Sequence, residues 1–123
     1  VTYVATTSVA YPRDIEKKVK KALSVEGPKY IQIQVPCPLG WYYDPAQTIT
    51  VARLAHQTGL YPIFEMENGQ ITSVMKIGTL KPVEEYLKIQ GRYRHLFQRE
   101  GGAEEIKRIQ MIADENIKKF GLV

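Results

Sequence analysis

The sequence predicts an α/β fold with one strand–helix–strand unit, a β-hairpin and a helical C-terminal segment. A β-branched and aromatic run from Thr2 to Val9, a helical pattern opening at Pro12 and an alternating run through Val35 follow one another directly. Their combined length suits a βαβ unit, whose two strands would be parallel neighbours with the helix packed across them. Asn68-Gly69 between two strand-like runs is a strong hairpin signal. Apolar residues then recur at helical spacing from Ala103 to Phe120.

Length and composition indicate one domain or a piece of one. The chain has 123 residues, 44% of them hydrophobic and 24% charged, and a net charge of +4. A charge this small suits an anionic partner but is also ordinary for solubility. One cysteine permits no internal disulfide, and no apolar run reaches membrane-spanning length, so we expect a cytoplasmic protein without a membrane partner. The first residue is Val1 rather than Met, which we interpret as a piece of a longer protein.

The first predicted helix has an apolar face and a basic face. Gly27 and Pro28 end it, because glycine accepts the left-handed cap and proline cannot continue the helical ladder. The apolar positions at helical spacing are Ile15, Val19, Ala22 and Leu23. The lysines, which we expect to be solvated, are Lys17, Lys18, Lys20 and Lys21.

The second strand ends in a loop, Val35 to Trp41, that holds the only cysteine and the only tryptophan. Proline on both sides of Cys37 fixes two φ angles and removes two backbone donors, so the strand cannot continue through it. The thiol therefore lies on a stiffened loop at the C-terminal end of a strand, the side where open α/β sheets bind ligands. A lone cysteine is more often a small buried hydrophobe than a ligand or nucleophile, and both interpretations stay open on this observation.

Further along the chain, Asp44 as N-cap with Pro45 next predicts a helix that runs to Thr58 and stops at Gly59. The hairpin should join Leu60–Glu67 to Gln70–Ile77, and Pro62 puts its first strand at an edge or makes it start late. We expect this hairpin to be an appendage rather than a third parallel strand. A helix opening at Pro82 should bury one face, made of Val83, Tyr86, Leu87 and Gln90, before an interruption at Gly91.

Self-contained metal or nucleophile chemistry has little support in the residues. The only soft or borderline ligands, Cys37, His56 and His95, are scattered over three predicted elements, whereas zinc needs about four converging donors. A nucleophilic Cys37 would need a nearby base, and His56 is the nearest candidate in sequence. Such a histidine is more often a partly buried helix residue.

Other charged patterns also have ordinary interpretations. Glu65 and Glu67 alternate on a predicted strand and should share the solvent side of the hairpin. No glycine-rich phosphate motif and no paired acidic Mg²⁺ motif occurs. Arg92, Arg94 and Arg99 with nearby aromatic residues are spaced as on an amphipathic helix, and we do not expect nucleic acid as a partner.

Several stretches together resemble a known family. The motif Pro36-Cys37-Pro38-x-Gly40-Trp41 is preceded by Tyr3–Pro12 and followed by Thr48–Leu60, Pro82–Leu87 and Gln90–Tyr93. Together these stretches resemble the thiamine-diphosphate-binding β subunit of 2-oxoacid:ferredoxin oxidoreductases, most of all the C-terminal region of the pyruvate:ferredoxin oxidoreductase β subunit. The resemblance covers the chain from Thr2 to about Leu96.

The resemblance implies an assembled enzyme that cleaves a 2-oxoacid on thiamine diphosphate and Mg²⁺, forms acyl-CoA and reduces ferredoxin through iron–sulfur clusters. It implies that Cys37 is one of four thiolate ligands of a [4Fe-4S] cluster. The family's other three cluster cysteines and its Gly-Asp-Gly metal motif are absent from this chain. We therefore expect no catalytic residue here, inactivity in isolation, and packing against the remainder of the β subunit and the other subunits.

On this interpretation the chain is the C-terminal half of a thiamine-diphosphate-type open parallel sheet domain. Residues 1–60 are its βαβα part, residues 61–78 the hairpin and residues 79–123 a C-terminal helical extension. A half-domain has too few strands to cover its own core, so we expect an apolar face to stay open. The competing hypothesis is a non-enzymatic α/β interaction module in which Cys37 is buried and inert.

Overall fold

A computed structural model describes all 123 residues as a four-stranded sheet with a helical layer. The strands are β1 (Tyr3–Ser8), β2 (Lys29–Gln34), β3 (Phe64–Glu67) and β4 (Gln70–Val74). The helices are α1 (Pro12–Ser24), α2 (Pro38–Trp41), α3 (Thr48–Gln57), α4 (Val83–Lys88) and α5 (Gly102–Phe120). Two 3₁₀ segments cover Pro45–Gln47 and Gly91–Phe97. None of the helices combines the length and the apolar character needed to cross a bilayer.

The predicted strand–helix–strand unit is confirmed. β1 and β2 pair in parallel, with Tyr3 opposite Lys29 at one end and Ser8 opposite Gln34 at the other. α1 connects them and contacts both strands, as a crossover helix must when two parallel strands are neighbours. This arrangement brings the C-terminal ends of β1 and β2 to the same edge of the sheet.

The hairpin is present, but the expectation that it is an appendage was wrong. The strand order is β2-β1-β3-β4, and β3 runs antiparallel along the second edge of β1. Asn68 and Gly69 both have positive φ angles, 51° and 82°. A tight two-residue hairpin turn requires this conformation at both positions. Pro62 precedes the strand, which starts late as predicted. The hairpin joins the sheet because β1 would otherwise leave a row of unpaired backbone groups on its second edge.

Glu65 is a second correction, because it does not face solvent. Its side chain is buried and accepts a hydrogen bond of 2.6 Å from the hydroxyl of the fully buried Tyr3. Burial, followed by the nearby Glu65 carboxylate, raises the pKa of the Tyr3 phenol, so the phenol stays a donor. Glu67 is half-buried, with its carboxylate 3.4 Å from Lys21 Nζ. Because β3 pairs with β1, Glu65 faces inward, although it was expected on the solvent side of the hairpin.

The helical layer forms the larger apolar core. α3 ends near its predicted stop, where Gly59 has a φ of +86°, and Asp44 caps the 3₁₀ turn that precedes the helix by accepting from the Ala46 amide at 2.9 Å. The predicted inner face of α4 is buried. The buried members of this core are Tyr43, Val51, Leu54, Ala55, Val83, Tyr86, Leu87, Leu96, Ile106 and Ala113.

Lys18 on α1 contradicts the expectation of a fully solvated basic face. It is only 3% exposed, and its ammonium donates to the Thr6 carbonyl and to Asp14 Oδ2, both at 2.8 Å. Asp14 Oδ2 also accepts a 2.5 Å hydrogen bond from Thr7 Oγ1. The long apolar stem of lysine can lie against the sheet while the charge is matched by these oxygens.

Large apolar side chains remain exposed on α1 and on β2, as an open apolar face would require. Val19 is 39% and Leu23 78% exposed on the helix, although both belong to its predicted apolar face. On the edge strand and just beyond it, Ile33 is 41% and Val35 61% exposed. α1 therefore buries Lys18 and Ala22 against the sheet, while its larger apolar side chains remain uncovered.

Two ion pairs on α1 allow a direct test of burial. Lys18–Asp14 and Lys20–Glu16 both have i, i+4 spacing and an N–O distance of 2.8 Å, but only the first pair is buried. We expect Asp14→Ala to lower the free energy of unfolding by about 3 kcal/mol, because it leaves the buried ammonium of Lys18 without its counter-charge. Glu16→Ala should change it by less than about 0.5 kcal/mol, since exposed pairs contribute little. Urea unfolding measures both, and equal losses would contradict the burial of Lys18.

Candidate functional site

Cys37 lies three residues beyond the end of β2, at the N-cap of the one-turn helix α2, and its side chain is exposed. The Gly40 amide donates to its Sγ at 3.3 Å, and the Trp41 amide donates to its carbonyl at 2.9 Å. A Cβ added at Gly40 would lie 3.3 Å from Sγ, so glycine lets the backbone approach the sulfur closely. The loop thus presents one ordered sulfur at the C-terminal edge of the sheet.

This geometry fits a thiolate ligand at one corner of an iron–sulfur cluster. Thiolates are the usual ligands of such clusters, and amide hydrogen bonds to the sulfur are among the interactions that set their potentials. No group of three or more His, Cys, Asp or Glu side chains converges here or elsewhere in the chain. The remaining ligands of any cluster bound at Cys37 must therefore come from outside this chain.

The aromatic residues after Cys37 divide between the core and the surface. Trp41 is partly buried and packs against the helical core, and Tyr43 is a buried member of it. Tyr42 is exposed, and its φ of 63° is left-handed. Few non-glycine residues adopt this conformation. Tyr43 therefore belongs to the core, Trp41 packs against it, and Tyr42 lies at the surface beside the thiol loop.

A contact that sequence reasoning missed joins this loop to the segment after α4. The guanidinium carbon of Arg92 lies 3.9 Å from the centre of the Trp41 ring and 4.6 Å from that of Tyr93. The Gly91 amide also donates to the Tyr42 carbonyl at 2.6 Å. In the sequence, the only sign of such a contact is that Arg92 stands next to a tyrosine, because Arg92 and Trp41 are far apart in the chain. Only the tertiary structure shows which aromatic ring the arginine meets.

His56 does not pair with Cys37. It is buried on α3, its ring meets the Tyr11 ring edge-on at a centroid distance of 5.6 Å, and its Nδ1 has no hydrogen-bond partner. The only hydrogen bond to the Cys37 sulfur comes from a backbone amide. The arrangement therefore lacks the base that a nucleophilic cysteine needs, and His56 is the buried helix residue of the ordinary interpretation.

The other basic residues after α4 do not form an amphipathic helix. Gly91–Phe97 is a 3₁₀ segment, in which Leu96 is buried and Phe97 is exposed. Arg94 lies 5.6 Å from the centre of the exposed Tyr42 ring. Arg92, by contrast, is half-buried, and it is the arginine of this segment that contacts Trp41.

Comparison with known proteins shows close relatives over nearly the whole chain, although no family model matches the sequence. The pyruvate synthase subunit PorB of Methanosarcina barkeri is 58% identical over 98% of this chain and 40% of that protein. PorB of Methanocaldococcus jannaschii is 51% identical over 99% of this chain and 39% of its own length. The ketoisovalerate oxidoreductase subunit VorB of Pyrococcus abyssi is 47% identical over 78% of this chain and 32% of that subunit. The chain therefore spans about two fifths or less of the length of these curated relatives.

His56 should make the stability of the fold depend on pH. Burial lowers the pKa of His56 below its ordinary value of 6.5, so the unfolded chain takes up this proton first as the pH falls. The stabilisation is therefore complete above about pH 6.5 and is lost as the pH falls towards the folded-state pKa. We expect the free energy of unfolding to decrease from pH 7 to pH 5, and His56→Gln to flatten that decrease.

His95, the other histidine, is exposed and supplies the matched control. His95→Gln should leave the pH dependence of urea unfolding as it is in the unsubstituted chain. A steep acid decrease that persists in His56→Gln would show that other groups cause it.

Proposed function

Because this chain is a homologue of the pyruvate synthase subunit PorB, a 2-oxoacid:ferredoxin oxidoreductase β subunit, we propose that it is the part of such a subunit that supplies one cluster ligand. The observation that carries the proposal is the exposed, amide-capped thiol of Cys37 at the sheet edge. The chain also packs against the rest of its subunit. The residues of this chain hold a ligand in place and make no bond in the substrate.

The assembled enzyme, on this proposal, oxidatively decarboxylates a 2-oxoacid with CoA to acyl-CoA and CO₂, and the two electrons released reduce two ferredoxins. A [4Fe-4S] cluster supplies one-electron transfer when it is bound. Cys37 contributes one of its four thiolates. The substrate class is a 2-oxoacid, because relatives named for pyruvate synthase and for ketoisovalerate oxidoreductase both match.

The loop residues have defined parts in holding that thiolate. Pro36 and Pro38 restrict the backbone on each side, and the Gly40 amide donates to the sulfur, where it stabilises negative charge. Trp41 packs against the helical core and so connects the end of the loop to it. These interactions orient a ligand without any acid–base group nearby.

Thiamine diphosphate and Mg²⁺ belong, on this proposal, to the rest of the subunit. Mg²⁺ sites need carboxylate and carbonyl oxygens that converge, and this chain brings no such group of acidic residues together. We therefore assign this chain no catalytic residue and expect it to be inactive alone. Residues 1–60, 61–78 and 79–123 would then be parts of one larger domain rather than independent units.

The competing interaction module receives less support. It requires a buried, inert Cys37, whereas the thiol is exposed. The relatives of the chain are also named as oxidoreductase subunits. A single unpaired thiol suits a reducing compartment, so the cytoplasm is the location we propose.

The test is Cys37→Ser in the full-length subunit within the assembled oxidoreductase. A hydroxyl is a poorer ligand than a thiolate for a cluster, so we expect loss of iron, a changed EPR spectrum of the reduced enzyme and slower reduction of ferredoxin. Binding of the 2-oxoacid should be retained, because the carbon chemistry takes place on residues outside this chain.

Leu39→Ser is the matched control, since Leu39 lies on the same loop, is exposed and offers no ligand atom. Iron content and EPR spectrum should then remain those of the unsubstituted enzyme. If Cys37→Ser keeps its full iron content and reduces ferredoxin at the normal rate, the proposed function is wrong.

A further inference from the structure

We propose that Arg92 is a positioning residue for Cys37: through Trp41 it holds the thiol loop in the conformation that presents the sulfur. This inference rests on the proposed function of Cys37 as a ligand. It assigns a role to a segment, residues 90–93, that contains no cysteine and so no thiolate for a cluster. Hydrogen bonds within the loop restrain the sulfur, and contacts from this segment add support from outside.

The thiol loop, residues 35–41, is stiffened by its prolines, but the turn inside it buries little surface of its own. α2 has four residues, fewer than an isolated helix needs, and none of them is buried. Leu39, in the middle of this turn, is 91% exposed. A single turn without a buried side chain is stable only if neighbouring elements restrain it, so the restraint has to be sought outside the loop.

Arg92 provides one restraint at the C-terminal end of the turn. Its guanidinium carbon is 3.9 Å from the Trp41 ring centre, well inside the range of a cation–π contact. Trp41 is tied back to the ligand residue, because its amide donates to the Cys37 carbonyl at 2.9 Å. Moving the indole would therefore move the turn whose Gly40 amide caps the sulfur.

The guanidinium itself is fixed by the helical core. Arg92 Nε donates to Gln90 Oε1 at 2.7 Å, and Nη2 donates to the Tyr86 hydroxyl at 3.2 Å. Gln90 is fully buried and donates in turn to the Tyr86 carbonyl at 2.7 Å. The planar, forked donor set of arginine matches these two acceptors while its face meets the indole, a combination that lysine does not offer.

Gly91 adds a second restraint beside the first. Its amide donates to the Tyr42 carbonyl at 2.6 Å, and a Cβ at this position would lie 2.7 Å from the Tyr42 ring. Tyr42 is the left-handed residue that ends the turn. Two successive residues, Gly91 and Arg92, therefore contact Tyr42 and Trp41, where the thiol loop ends. Two neighbouring contacts are harder to attribute to chance than a single contact of one long side chain.

The experiment uses the assembled oxidoreductase with the full-length subunit and compares Arg92→Gln, Arg92→Lys and Arg99→Gln. The readouts are the rate at which a chelator removes iron, the midpoint potential of the cluster, and its EPR line shape. We expect both Arg92 variants to lose iron about threefold to tenfold faster, because they lose the stacked fork and its buried partners. Arg99 is exposed and changes charge equally, so Arg99→Gln should match the unsubstituted enzyme.

The lysine variant separates position from charge. If Arg92→Lys keeps the normal iron-loss rate and potential while Arg92→Gln does not, the positive charge alone matters and the positioning role is overturned. Normal behaviour of both variants also overturns it. Should the Arg92 variants fail to assemble, Trp41→Leu tests the same contact from the other side, with faster iron loss expected.

A double variant and a thiol measurement complete the test. In variants that assemble, adding Arg92→Gln to Trp41→Leu should accelerate iron loss little further, since both substitutions remove the same interaction, and full additivity would overturn the proposal.

In the cluster-free subunit, mass spectrometry follows alkylation of the Cys37 peptide, whose rate should change in Arg92→Gln but not in Arg99→Gln. This rate is independent of iron, so failure of the ligand role, seen in Cys37→Ser, remains distinguishable from failure of the positioning role.

Discussion

The arrangement of this chain depends on the central position of β1, which lies between β2 and β3 in the sheet. Both of its edges are paired, and five of its six residues are buried, among them the polar side chains of Tyr3, Thr6 and Thr7. Buried polar groups require partners, and each of these three finds its partner on a different part of the chain. Tyr3 binds Glu65, Thr6 binds the Pro62 carbonyl and Thr7 binds Asp14. The hydrogen bonds of one strand thus fix the hairpin and the crossover helix relative to the sheet.

The candidate site joins the two layers that this arrangement creates. The sheet layer delivers Cys37, because the loop begins where β2 ends beside β1. The helical layer delivers Arg92 from the segment that follows α4. A metal ligand is held well when outer interactions orient it, and in the proposed arrangement the orienting groups belong to a different layer from the ligand. On that proposal the two layers must pack correctly before the sulfur is presented, which would couple the geometry of the ligand to the folding of the helical segment.

Short sequence patterns predicted the elements whose formation depends on neighbouring residues. The parallel strand pair, the Asn68-Gly69 turn and the buried faces of α4 and α5 follow from period and turn chemistry in short windows of sequence. The same reasoning gave the wrong environment for Lys18 and Glu65, because a charged residue is buried only where a partner matches it. Apart from Asp14, which lies on the same helix as Lys18, these partners belong to another element, the strand β1. Arg92 is the corresponding case at the site. Its spacing is compatible with an exposed helix face, and only the fold brings Trp41 under its guanidinium. The position of Cys37 on an exposed loop was predictable, since two prolines prevent a strand from continuing there.

The edge strand β2 and the nearby Cys37 lie at the same border of the sheet. β2 is an edge strand of six residues with exposed apolar side chains, and such an edge is a site where another strand or covering element pairs. Cys37 lies three residues beyond the end of that strand and, under the proposed function, would need three further thiolates, which this chain does not contain. About three fifths of the length of the PorB relatives lies outside the matched region, which is ample chain to supply both. Burial of Ile33 and Val35 by such a segment would lower the dielectric around the thiol loop as well as stabilise the edge. Under the proposed function, the covering of the β2 edge and the remaining cluster ligands would therefore be needed on neighbouring parts of the same surface.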